Sequence, residues 1–358
     1  MAPGIAPVAV DAMGGDNAPV AVVHGAIDAA RKGQAVVLVG PEERVRAELE
    51  RQRASWSLPI QVKDAPEVVE MGEHPGQAMR RKRQNSIRVA FELVRDGEAS
   101  GMVSAGNSGA VMAGAILVLG RAGEVERPAI LSVLPATKGA PVLLDVGANV
   151  ECRPLHLVQF ALMGEVWARR VQGVSRPRVA ILANGEEPTK GTTLTRTAAE
   201  ALERSSLRFQ GYCEGQDLLT GDLDVVVTDG FTGNVALKTM EGTARALGKL
   251  VKDALQGTVP SKIGGMLVKS ALAAVGKRVD WREVGGAPLV GVQGVAVIAH
   301  GASDARAVGN AIVRASDAAR ADCTREIAAA AATAAALLAG RDSGEGRTTQ
   351  RRRRNAEA

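Results

Sequence analysis

Apolar and polar positions follow two rhythms along the chain. Short runs of Val, Ala, Ile and Leu, closed by glycine or proline, read as buried strands at 8–10, 35–40, 101–106, 129–135, 141–147, 178–185 and 223–230. Stretches with helical spacing lie between them. These are 19–32, a helix from Pro41 with an E/R-rich face, 85–96, a small-residue helix over 107–119, 154–170, one from about 192, and a long one from Phe231. Segment 288–301 fits a hairpin, and a last helix is expected over 303–338. Such alternation predicts an α/β fold with a doubly wound sheet and helices on both faces. No internal repeat is visible.

Composition narrows the picture. Of 358 residues 46% are hydrophobic but only 2% aromatic, so the core must be built from Val, Ala, Leu and Ile. That suits a parallel sheet buried on both faces. It argues against a single-strand nucleic-acid binder, which needs aromatic stacking platforms, and no nucleic-acid partner is expected. The net charge is +5, of which the polar segment 341–358 contributes +3 through six arginines against three acids. That segment lacks periodicity and reads as a disordered basic tail. The rest, 1–340, reads as a single α/β domain with a helical hairpin inserted at about 240–278. The three cysteines have no metal-site spacing, and the N-terminus shows no signal peptide, so a reduced cytoplasmic protein is expected. No apolar run reaches the length of a membrane span.

In open α/β sheets ligands sit beyond the carboxyl ends of the strands. The segments there are DAMGGDNAP, SAGNSGA, DVGAN, ANGEEPTKG, TDGFTGN and HGASD. Six polar loops on one rim make that rim the candidate site. SAGNSGA places Ser104, Gly106, Asn107, Ser108 and Gly109 at the start of a helix, where free N–H groups and the helix dipole favour an anion. An N-cap with a tight turn fits the same residues equally well. Lys190 could set a point charge on phosphate, or it could simply pair with Glu186 or Glu187. Asp229, Thr232, Gly233 and Asn234 surround the next helix start. Asp229, Thr232 and Gly233 read as substrate- or phosphate-binding, and Asn234 could donate to a developing oxyanion, or Thr232 or Asn234 could simply cap the helix. His300 could act as an acid or base, or bond a backbone carbonyl. Asp11, Gly14, Gly15 and Asp16 form a glycine turn between two carboxylates. The acids repel phosphate, so these four residues read as a wall of the site, the acids bonding backbone N–H groups or cations of neighbouring loops and the glycines allowing close approach of another loop.

Several chemistries lack their motif. There is no GxSxG elbow, no GxxxxGK[ST], no GxGxxG after the first strand and no metal-ligand spacing. No cofactor and no metal are expected.

The ordered blocks DAMGGDNAP, GEHPGQAMRRKRQNSI, SAGNSGA, RPAI, LLDVGAN, ANGEEPTKG, DVVVTDGFTGN and GGAPLVGVQG…HGAS, spanning approximately 6–320, resemble the bacterial phosphate acyltransferases. Asn85 stands where that family usually has serine, and Ser108 where threonine is common. The resemblance implies a Rossmann-like α/β/α fold related to phosphotransacetylases, and a homodimer. It implies that inorganic phosphate attacks the thioester of a long-chain acyl carrier protein, giving acyl phosphate for a downstream membrane glycerol 3-phosphate acyltransferase. On this reading SAGNSGA and Lys190 hold phosphate, Asn234 is the oxyanion donor, His300 protonates the leaving sulfur, and Gly14 and Gly15 allow close approach of the acyl-pantetheine or of another loop. A short-chain phosphotransacetylase using coenzyme A and a non-catalytic scaffold are the alternatives.

An acidic carrier protein needs a basic docking patch, and RRKR (80–83) offers one, although a solvated helix face reads the same way. Segment 261–279 mixes Ile263, Met266, Leu267, Leu272 and Val275 with Lys262, Lys269, Lys277 and Arg278. It could lie on an anionic membrane at the inner face of the cell or pack on a dimer partner.

Overall fold

A computed structural model describes residues 6–55 and 57–340; the basic tail 341–358 lies outside the described residues. Within them the chain forms two compact units. The first gathers 6–118, 232–288 and 296–316, and the second 119–231, 289–295 and 317–340.

Eleven strands are seen: β1 (Val8–Asp11), β2 (Val36–Gly40), β3 (Ile60–Asp64), β4 (Gly101–Ser104), β5 (Ala129–Val133), β6 (Val142–Leu144), β7 (Arg178–Leu182), β8 (Arg208–Cys213), β9 (Val225–Val227), β10 (Ala287–Val290) and β11 (Ala296–Ile298). In the first unit the order is β3-β2-β1-β4-β11, all parallel. Ala287 and Pro288 of β10 add antiparallel to β11. Every residue of β1, β2 and β4 is buried. Successive side chains point to opposite faces, so both faces of this sheet are covered. The helix Ser86–Arg95 supplies part of that cover. Asn85 caps it by accepting the Arg88 N–H, and Ile87, Ala90 and Phe91 share its buried side. Fully burying the Phe91 ring contributes about 1.5–3 kcal/mol.

In the second unit Leu289 and Val290 of β10 pair with β5, and the order continues β6-β9-β7-β8. Here β5 is antiparallel to both β10 and β6, and the remaining pairs are parallel. The helix Pro154–Arg170 is buried almost all round, because it packs against β6, β7 and β9 and is covered on its other side by the helix Thr324–Ala332. Proline at its first turn costs nothing there, since that N–H has no helical acceptor.

The alternation expected from the sequence is present, with four differences. The sheet is mixed, not wholly parallel. The edge strands β3 and β8 and the helix Pro75–Arg81 arise where the pattern gave no signal; IQVKD and RFQGYC are half-exposed and too polar to read as strands. The last helix is interrupted: it runs Ala305–Ala321, Thr324–Ala332 and Ala334–Ala339, with Asp322 at φ 44 marking the first break. The 107–119 helix is α over Ser108–Gly114 and π over Ala115–Leu119.

Candidate active site

The first unit joins its loops through one buried carboxylate. Asp11 ends β1 and is 2% exposed. It accepts the Ser104 hydroxyl at 2.7 Å and the Met13 N–H at 3.1 Å. Ser104 in turn accepts the Gly106 N–H at 3.0 Å. Burial pushes the Asp11 carboxyl up, while the Ser86 and Ser104 hydroxyls and the Met13 and Gly14 N–H groups pull it back. Gly14 makes the closure possible. A Cβ there would lie 2.6 Å from both Asp11 Oδ2 and the Gly106 nitrogen. Gly15, at φ +99, turns the chain so that the Asp16 N–H reaches the Gly301 carbonyl at 2.8 Å. Asn17 donates to the Ser303 carbonyl at 3.2 Å, and the Ala299 N–H bonds the Ser104 carbonyl at 2.8 Å. The loops after β1, β4 and β11 are thus one hydrogen-bonded body.

Asn107 caps the next helix by accepting the Ala110 N–H at 3.0 Å. Its amide donates to the Met71 and Glu73 carbonyls at 3.0 and 3.1 Å, tying in the 71–73 loop. Ser104 and Asn107 therefore spend their side chains on the scaffold. What this turn presents outward is the exposed Ser108 and the N–H groups of Ser108 and Gly109, which have no acceptor inside their own helix. His300 is exposed. Its Nδ1 accepts the Ala302 N–H at 3.1 Å, so the neutral ring carries its proton on Nε2. Asn234 is exposed in the first turns of the helix Gly230–Gly257, beside the buried Gly233 and the exposed Thr232.

The second unit is organised around Asp145, a residue outside the candidates that the sequence pattern marks. It is fully buried after β6. It accepts N–H groups from Ile130, Gly147, Ala148 and Asn149 at 2.6–3.2 Å, and the Asn149 amide at 3.0 Å. Burial pushes its carboxyl up and these donors pull it back. Gly230 starts the long helix against this turn: its N–H bonds the Asn149 carbonyl at 2.8 Å, and a Cβ would lie 2.7 Å from Asp145 Oδ2. The half-buried Asp229 precedes it. Lys190 is 44% exposed and lies across Gly185, 4.0 Å from Glu187, a loose pair. The signal for Asp145 was in the sequence: an aspartate followed by Gly147 and Asn149 has the form of a turn that wraps its own carboxylate.

The asparagines of these loops separate by what their amides do. Asn17, Asn85, Asn107 and Asn149 donate to backbone carbonyls, and the Asn184 oxygen accepts the Gly191 N–H. The Asn234 amide carries no hydrogen bond among the described residues. A donor held at a helix start and left uncommitted is suited to a substrate oxygen.

Residues 6–326 match the family model described as fatty acid synthesis protein. The phosphate acyltransferase of Anaeromyxobacter sp. strain K is 71% identical over 334 residues, covering 93% of this chain and 92% of that one. That of Myxococcus xanthus is 53% identical, covering 90% and 94%. The chain belongs to the phosphate acyltransferase family. It is an acyltransferase of fatty acid synthesis that moves an acyl group onto phosphate. Among solved structures, a phosphotransacetylase from Streptococcus pyogenes superposes with a TM-score of 0.60 at 16% identity, covering 89% of this chain and 94% of that one. EutD phosphotransacetylase from Staphylococcus aureus gives 0.56 at 16%, covering 88% and 94%. These likenesses bear out the expected fold class.

Moving an acyl group onto phosphate does not require a nucleophile from the enzyme. Burial pushes the thiols of Cys152 and Cys323 up to about 11 and that of Cys213 to about 12, so all three stay protonated near neutrality. Iodoacetamide at pH 7 is therefore expected to leave turnover within about twofold of the untreated enzyme, since an inert thiol offers no thiolate. Stoichiometric inactivation, with acyl label recovered on a cysteine, would contradict this.

Proposed function

We propose that the acyl donor is a long-chain acyl carrier protein and that phosphate attacks its thioester directly. The uncommitted Asn234 amide, in loops that offer no activated thiol, is the observation that carries this reading. Phosphate is a ready nucleophile once held and aimed, and thiolate is a good leaving group, so orientation and one oxyanion donor supply the catalysis. The Ser108 and Gly109 N–H groups offer phosphate an anion site in the first unit, and Lys190 offers it a cation in the second. Asn234 donates to the carbonyl oxygen as it gains charge. His300 presents Nε2–H to the departing sulfur. Asp11, Ser104 and Asn107 act as positioning residues, with Gly14, Gly15 and Asp16 shaping the wall. The product acyl phosphate is the acyl donor for glycerol 3-phosphate acylation at the membrane.

The carrier protein docks on Arg80, Arg81 and Arg83, which are exposed. Lys82 is not part of that patch: it bonds the Val68 carbonyl at 2.6 Å and pairs with Glu73. The test is loss of palmitoyl carrier protein thioester. It should require phosphate, and release without phosphate, or none at all, would overturn the reading. Lys190→Ala is expected to raise KM for phosphate about ten- to a hundredfold, the worth of one charge-assisted hydrogen bond. An unchanged KM would remove Lys190 from the phosphate site.

The helices Val259–Leu267 and Lys269–Val279 leave Ile263, Met266, Leu267 and Val275 exposed, Leu267 at 80%. No helix among the described residues is long and apolar enough to cross a membrane. This apolar, lysine-bearing face serves as a contact for an anionic bilayer and for a second copy of the chain. Leu267→Asp is expected to reduce flotation with anionic liposomes; undiminished flotation would count against the membrane contact.

A further inference from the structure

A groove of about 820 Å³ runs along the first unit, between the helix Gly230–Gly257 and the helix Lys269–Val279, and reaches Ala302 and Asp304 of the His300 loop. Its floor is small: Ala244, Ala273, Ala274 and Gly276. Its walls are charged, and the charges do not cancel. Glu241 is paired with Lys238 at 2.9 Å. Asp280 and Asp304 are bonded by Arg282 at 2.7 and 3.2 Å, and Arg306 pairs with Glu283. Arg245 and Lys277 are left over. Neither has an acidic partner among the described residues; Arg245 bonds only the Glu241 carbonyl, at 3.2 Å. The groove therefore has a small-residue floor, polar walls and a net charge of +1, with Arg245 and Lys277 its two cations that have no acidic partner among the described residues. An acyl chain would have to desolvate those charged walls, which is costly. A slender polar chain carrying a single anion fits them.

The helix sets a distance. Asn234, Lys238, Glu241 and Arg245 are spaced i, i+4, i+7 and i+11, so they lie along one stripe. Eleven residues of α-helix carry that stripe about 16 Å from Asn234 to Arg245. In a phosphopantetheine arm roughly thirteen bonds separate the phosphorus from the sulfur, an extended reach of about 15 Å.

We propose that this groove binds the phosphopantetheine arm of the acyl donor, with its phosphodiester at Arg245 and Lys277 and its thioester at Asn234. The inference rests on the acyl-carrier-protein reading above and adds a site for the part of the donor that every carrier protein shares. Recognition of the phosphate fixes how far the thioester penetrates, so binding at one end of the helix stripe positions the reacting carbonyl at the other.

Two minimal donors test it, palmitoyl-phosphopantetheine and palmitoyl-pantetheine, which differ only in the phosphate. The wild-type enzyme is expected to show a KM about tenfold or more lower for the phosphorylated donor, the value of a charge-assisted contact. Arg245→Ala with Lys277→Gln should erase that difference by raising KM for the phosphorylated donor alone, with KM for inorganic phosphate unchanged. Both side chains are exposed. An unaltered melting temperature checks the fold, and Lys277→Gln alone serves if the pair destabilises. Equal KM values for the two donors in the wild-type enzyme would overturn the groove assignment while leaving the carrier-protein reading intact. So would a variant that keeps the discrimination. No phosphate-dependent loss of palmitoyl carrier protein would overturn both.

Discussion

Asn234→Ala is expected to lower kcat for phosphate-dependent thioester cleavage by about 10²–10³, the worth of one oxyanion donor elsewhere, while KM for phosphate moves by no more than about twofold. The expectation follows from what the other amides do. Asn107 is spent on a helix cap and on the Met71 and Glu73 carbonyls, and Asn149 on Pro128 and Asp145. Removing either would disturb the scaffold, and the loss of rate would not report on chemistry. Asn234 is exposed and unbonded among the described residues, so truncation should change stability by no more than about 0.5 kcal/mol. That separates a catalytic from a structural effect. In the proposed role its donor acts only as the carbonyl oxygen gains charge, which puts the expected loss in kcat and not in KM. Asn234→Asp should be worse than alanine, because it puts a negative charge where one develops. Steady-state kinetics with palmitoyl carrier protein, beside a thermal melt of each variant, decides the matter. A kcat within about threefold of the wild type would take the oxyanion role away from Asn234.

The position of the loops was legible in the sequence, and much of their internal wiring was not. Strands ending in glycine-rich polar segments announced where the loops would be. The set of loops also placed Asp11 and Asp16 as partners of backbone groups or cations rather than of phosphate. Asp11 does accept the Met13 N–H, whereas the Asp16 tie runs through its backbone N–H to Gly301. The sequence could not show that the Ser104 hydroxyl bonds Asp11, 93 residues earlier, because such a pairing depends on β1 lying beside β4. Gly14 likewise looked like a turn residue. Its need for no side chain comes from the backbone of Gly106 lying across it. The strand at 129–135 was legible but its antiparallel direction was not, because a largely buried strand reads the same in either direction.

Asp145→Ala is expected to be the most destabilising single change among these loops. The carboxylate is fully buried and accepts five N–H groups, from Ile130 on β5, from Gly147, Ala148 and Asn149 in its own turn, and from the Asn149 amide. Each buried donor left without an acceptor costs about 1–3 kcal/mol, and partial rehydration keeps the sum below the arithmetic total, so the loss should be about 3–5 kcal/mol. That is a large part of the 5–15 kcal/mol that holds a typical domain folded. Asp145→Asn keeps one oxygen in place. It should therefore cost less, since the Oδ1 position serving Ile130, Gly147 and Ala148 can still accept. The new amide group would nevertheless face the two Asn149 donors that Oδ2 now receives. Urea denaturation of the three proteins gives the ordering, wild type above asparagine above alanine. An alanine loss below about 1 kcal/mol would mean that water replaces the carboxylate and that the turn does not depend on it. The same experiment reaches function through Gly230, whose N–H bonds the Asn149 carbonyl where the long helix begins. If Asp145 fixes that helix start, Asp145→Asn should lower kcat by more than its stability loss would remove by unfolding alone. Asn234 stands only four residues further along the helix that this turn anchors.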